Sequence, residues 1–98
     1  MESFEFCFAT FSQDGAGRAD ATGTVEFRLA GGTIQATLHL VEIPTSTSGN
    51  VVQLDSGTVT DETGAYAGAS GTWHAAGPIT LDAEGINHPK LLFVISLR

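Results

Sequence analysis

One stretch constrains the fold of this chain more than any other: Thr24-Val25-Glu26-Phe27-Arg28-Leu29, then Ala30-Gly31-Gly32, then Thr33 to Glu42. Val25, Phe27 and Leu29 alternate with polar neighbours. Beyond the glycines, Ile34, Ala36, Leu38 and Leu40 alternate with Thr33, Gln35, Thr37 and His39. Period-2 alternation on both sides of a tight turn predicts a β-hairpin with one dry and one wet face. A one-residue slip would exchange the faces, so its register is tightly specified.

The rest of the chain follows the same pattern, and no segment carries a helical period. A first strand is predicted over Ser3 to Phe11, with Phe4, Phe6 and Phe8 on one face and Glu5 and Cys7 on the other; Ser12 to Ala21 reads as a loop. Ile43 to Asn50 is a polar loop, Val51 to Thr60 a strand whose alternation blurs near Gly57, and Asp61 to Gly71 a glycine-rich turn. Thr72 to Ala76 is a short strand carrying Trp73. After Gly77-Pro78, Ile79, Leu81 and Ala83 alternate with Thr80, Asp82 and Glu84. The last strand, Lys90 to Leu97, is apolar on both faces, with Leu91, Phe93 and Ile95 on one and Leu92 and Val94 on the other. Short connections require antiparallel pairing. About seven short strands at this spacing predict an all-β single domain over residues 1–98, an antiparallel β-barrel or barrel-like sheet around an apolar interior. The doubly apolar last strand needs a cover on each face, which predicts a homo-oligomer.

A chain of 98 residues buries roughly 60–70% of its unfolded surface, enough for one core. Eleven acidic residues against four basic ones give a net charge of −7. Phosphate backbones and anionic lipid heads repel such a domain, so neither nucleic acid nor a membrane surface is an expected partner. Cys7 is the only cysteine, which excludes an intrachain disulfide and leans towards a reducing compartment. Met1 to Glu5 has no basic run and no long apolar segment. As it stands the chain reads as cytoplasmic, although a processed, secreted form would look the same.

The most distinctive segment is Thr60-Asp61-Glu62-Thr63-Gly64-Ala65-Tyr66-Ala67-Gly68-Ala69-Ser70-Gly71. Its glycines permit positive φ or close backbone approach, and Tyr66 can anchor its ring under the turn. The pattern Thr-Gly-x-Tyr-x-Gly-Ala-x-Gly resembles a corner of the allene oxide cyclase and dirigent type of β-barrel, including small bacterial relatives. The Gly-Thr-Val-Thr that precedes it and the Gly-Gly-Thr-Ile turn of the hairpin are similar to the same superfamily, so the resemblance spans roughly Gly23 to Trp73. Asp61-Glu62 departs from it, since Gly-Gly is frequent there, and 98 residues is short for an eight-stranded member. The resemblance implies a calycin-like or allene-oxide-cyclase-like antiparallel barrel of seven to eight strands, often oligomeric, with an apolar cavity. Some members steer cyclisation or coupling of reactive small molecules. Fold likeness does not transfer a reaction.

Glu42 is the candidate catalytic carboxyl. By alternation it falls on the apolar face at a strand end, where a desolvated carboxyl can act as a general acid; a frayed end would put it in solvent instead. Phe4, Phe6, Phe8, Phe27, Leu38, Leu40, Tyr66 and Trp73 are the candidate ligand-lining residues. They serve equally well to fill the interior, because a barrel of about eight strands is either filled or holds one small ligand. His39, His74 and His88, with Asp55 or Glu84, lack short metal-ligand spacing and read as surface histidines. Cys7 reads as a small buried hydrophobe, and Asp61-Glu62 as a solvated turn. There is no Gly-x-Ser-x-Gly elbow and no phosphate-cradling loop.

Two functions follow. The first is a barrel that binds an apolar or unsaturated small molecule and, if an enzyme, acts as a cyclase or isomerase by confinement, with no metal or nucleotide cofactor. The second is a non-catalytic structural or interaction module acting through its oligomeric surface.

Overall fold

The computed structural model describes residues 3–46, 50–81 and 87–98, with side chains described outside 81–89. Seven strands form one antiparallel meander: β1 (Ser3–Gln13), β2 (Ala19–Leu29), β3 (Gly32–Pro44), β4 (Asn50–Glu62), β5 (Gly71–Leu81), β6 (Asn87–Pro89) and β7 (Leu92–Leu97). Each of the first five pairs with the next, and β6 and β7 both pair with β5. A 3₁₀ turn, Gly64–Tyr66, joins β4 to β5.

The hairpin is in the register its alternation dictates. Val25 faces Ala36, Phe27 faces Ile34 and Leu29 faces Gly32, with all four members of the first two pairs buried. The sheet curls about this row. Trp73 of β5 reaches Phe27 of β2 with ring centroids 5.1 Å apart, and Phe93 of β7 lies 6.0 Å from Phe27. Edge-on aromatic contacts of this kind add to the area they bury. The concave face therefore holds the core and the convex face meets solvent.

The sheet remains open. Among the described residues no ladder pairs β1 with β6 or β7, although the rings of Phe4 and Phe93 meet across the gap at 5.0 Å. The antiparallel all-β architecture is as expected; a closed barrel is not what the hydrogen bonds form.

Three elements differ from the sequence reading. The loop after β1 shrinks to residues 14–18, because Ser12, Gln13, Ala19 and Asp20 continue the β1–β2 ladder. A bulge between Phe8 and Thr10 shifts that ladder by one residue, so Phe11, opposite Ala21, joins Phe4, Phe6 and Phe8 on the concave face. Gly77-Pro78 does not divide β5. The strand runs through, with Gln53 facing Gly77 and Val52 facing Pro78; on the other side the β6–β7 break lies opposite these two residues, and Pro78 O accepts from Lys90 N at 2.9 Å.

The Tyr66 corner is pinned to the hairpin turn. Ala65 N donates to Gly31 O at 2.8 Å, Thr63 N to Thr33 O at 3.0 Å, and Thr33 N to the Thr63 hydroxyl at 3.0 Å. Gly64 has φ +64°, and a Cβ there would sit 2.3 Å from Gly31 O. Glycine is required on both counts. Tyr66 packs against the core as the reading of this corner anticipated.

Candidate functional site

The candidate site is built from the concave rows. On β1, Phe4, Phe6 and Phe8 oppose Phe27, Val25 and Gly23. Phe6 is half-buried and touches Trp73, with centroids 6.1 Å apart. Phe8 and Phe11 keep 56% and 68% of their surface exposed. Their neighbours across the ladder are Gly23 and Ala21, which are small, so the outer part of this face is an aromatic wall beside a low floor. Leu38 and Leu40 continue that floor on β3, both buried. The other end of the face is filled. Trp73, Phe27 and Ile34 are fully buried there.

Beyond Leu40 the concave face turns polar. Glu42, on β3, pairs with Ala19 on one side and Gln53 on the other. The strand does not fray at Glu42: it continues in register to Pro44, and Glu42 is half-buried. Gln53 and Asp55 of β4 point to the same side and are 5% and 3% exposed. The Gln53 amide Nε2 donates to Asp55 Oδ2 at 2.8 Å, while Asp55 Oδ1 is buried with no hydrogen-bond partner. Burial pushes the Asp55 carboxyl above the ordinary carboxylate range; the Gln53 bond opposes this and the negative charge of Glu42 adds to it.

Sequence reasoning considered Asp55 only as a companion of the histidines and did not single out Gln53. Their alternation is inverted: Val52 and Leu54 face outward and are exposed, while the polar pair faces in. The signal lies in the β3–β4 register. Once Leu40 is inside, its partner Asp55 is inside too.

The predicted lining residues do not all converge. Tyr66 sits against Gly31, just before β3, and Glu42 lies near the far end of that strand, about 36 Å along the chain at roughly 3.3 Å per residue. Phe27 and Trp73 belong to the packed centre. Phe8, Leu38 and Leu40 border the open part with Phe11, whereas Phe4, opposite Phe27 and 5.0 Å from Phe93, lies at the filled end.

Cys7 is exposed, contrary to the buried reading. It faces outward opposite Thr24, and among the described residues β1 is an edge strand, paired only with β2. His39 and His74 are exposed on the convex face, as read, with His39 Nε2 3.2 Å from Asp20 Oδ1. The side chains of His88 and Glu84 lie outside the described residues. Among the described residues no three His, Cys, Asp or Glu gather to hold a metal ion.

The convex face carries a second feature. A cleft of about 400 Å³ is lined by Val41, Leu54, Ala76, Leu92 and Val94, with His39, Ser56 and His74 along one side. Leu92 is 73% exposed, and Ile43 and Val52 extend the apolar stripe.

Fold and site together define an open, curled antiparallel sheet with an aromatic concave wall and a buried carboxyl at one end. No protein-family model, no curated protein and no solved structure matches the chain.

Proposed function

We propose that the concave face binds an apolar or unsaturated small molecule, and that any reaction there is a cyclisation or isomerisation of a substrate held in a folded shape. The observation that carries this reading is the half-exposed Phe8 and Phe11 row beside Gly23 and Ala21, which leaves apolar surface facing an apolar floor. Ligand sites combine such a surface with a few placed polar groups, and Glu42, Gln53 and Asp55 supply them. The β1 and β7 margins act as the mouth of a barrel that is not closed by hydrogen bonds. Glu42, at the rim, is the carboxyl a bound substrate would meet first. Confinement supplies the rate, since holding reacting atoms in a near-attack shape removes entropy from the barrier. The likeness of the Tyr66 corner to allene oxide cyclase and dirigent barrels supports the same reading.

Thermal-shift screening against polyenes, fatty-acid oxides and terpenoids tests it. Binding raises the melting temperature of wild-type protein, and a Phe8→Ser, Phe11→Ser double variant loses the shift. The absence of any shift across these classes contradicts the reading.

A second reading rests on a separate observation, the convex stripe of Ile43, Val52, Leu54, Leu92 and Val94, each of them exposed. Contiguous exposed apolar residues mark an interaction surface, and a second copy of this chain is its proposed occupant, since β7 is apolar on both faces and only Phe93, Ile95 and Leu97 face the core.

A further inference from the structure

Asp55 is the least explained group in the fold. It is almost wholly buried, its carboxyl accepts one hydrogen bond among the described residues, from Gln53, and its Oδ1 has none. Buried polar atoms are nearly always paired, and one that is not costs free energy in the empty protein. A bound group that supplies a donor recovers that cost.

The surroundings specify the donor. Glu42 lies diagonally across from Asp55 on the adjacent strand, facing the same side, so two carboxyls share the end of the trough. The Gln53 amide gives one of its two N–H donors to Asp55 Oδ2, and its Oε1 is an acceptor. The site thus offers three accepting groups, two of them carboxyls. A neutral hydroxyl would satisfy one acceptor and leave the two carboxyls opposed. Among the described residues no ion pair reaches Asp55 or Glu42: Arg18 is committed to Asp20, and Arg28 to Glu5 and Glu26. A primary ammonium has three N–H donors and a full positive charge, and the net charge of −7 favours its approach.

We infer that the concave site takes an amphiphilic primary amine, its ammonium held by Asp55 Oδ1, Glu42 and Gln53 Oε1 and its apolar body laid along Phe8, Phe11 and Leu40. This rests on the reading of the concave face as a binding site and names the ligand class.

Isothermal titration calorimetry with decylammonium, decanol and decanoate, each below its micelle concentration, tests it. Decylammonium binds wild-type protein at least about tenfold more tightly than decanol, as a charge-assisted hydrogen bond predicts, and decanoate binds weakest. Asp55→Asn, which keeps the shape and removes the charge, reduces the preference for ammonium over alcohol to near unity. Glu42→Gln, at the half-buried rim where folding is not at risk, reduces it in part. Decanol binding as tightly as decylammonium overturns the ammonium assignment and leaves apolar binding intact. If none of the three binds, the concave face is not a ligand site and both readings fall.

Discussion

The indole Nε1 of Trp73 on β5 donates a 2.8 Å hydrogen bond to the main-chain carbonyl of Thr37 on β3, two strands away. It does so across β4 at Gly57, whose absent side chain leaves room for it: a Cβ there would lie 1.8 Å from Thr37 O and 2.5 Å from the indole nitrogen. With the Thr37 carbonyl taken, Thr58 N turns to the Thr37 hydroxyl instead, at 2.9 Å. One tryptophan thereby ties three strands together and sets the curl that makes the face concave.

Trp73→Phe should be strongly destabilising. It leaves the Thr37 carbonyl without its donor and opens space in the packed centre beside Phe27. A loss of about 2–4 kcal/mol is expected from these two effects together, read by urea unfolding. A loss below about 0.5 kcal/mol, the level of a surface substitution, would show that the bond does not hold the sheet.

Gly57→Ala should cost at least about 2 kcal/mol, because the new methyl overlaps a backbone carbonyl that no rotamer can move aside. An alanine variant as stable as wild type would place the β3–β4 crossing elsewhere.

The curl shows where the sequence was legible and where it was not. Alternation in β2 and β3 specified the hairpin register because every other residue there is apolar and one face alone is dry. It could not reveal the bulge after Phe8, since adding Phe11 to the concave row depends on a pairing shift. In β4 alternation misleads: Val52 and Leu54 look like core residues, yet they face solvent, while Gln53 and Asp55 are inside. The apolar character of β7 on both faces was legible and matches Leu92 and Val94 lying exposed opposite Phe93 and Ile95. Glu42 was placed on the apolar face by alternation alone, and it is there; the buried acid behind it needed the β3–β4 register.

Asp55 predicts a pH dependence of stability. Its folded pKa is raised above its unfolded value, so the folded state binds the extra proton. Its contribution is full below the unfolded pKa and is lost as pH rises through the folded pKa. Asp55→Asn should therefore flatten this part of the profile, and its stability relative to wild type should improve as pH is raised from about 4 to about 8. Urea unfolding of both proteins across that range checks it. Parallel profiles would mean that Asp55 is not held in a low-dielectric site.

Leu92→Asp and Val94→Asp test the convex stripe. Both positions are exposed, so the isolated fold should change by less than about 0.5 kcal/mol, while a self-associated form should dissociate. Sedimentation velocity reads the outcome. A wild-type protein that is monomeric at micromolar concentration, or variants that assemble as wild type does, would remove this face as an interface.

Binding of a small apolar molecule to the concave face is reported directly by the intrinsic fluorescence of Trp73. Trp73 is the only tryptophan in the chain and touches Phe6, next to the open part of the trough. Titration with a non-absorbing unsaturated hydrocarbon carrying a primary amine should give a saturable change in emission. Phe8→Ser with Phe11→Ser should weaken it by about tenfold or more, the effect of losing the apolar area that two exposed rings bury against a ligand. No saturable change in the wild-type protein, or the same change in the double variant, would contradict the account.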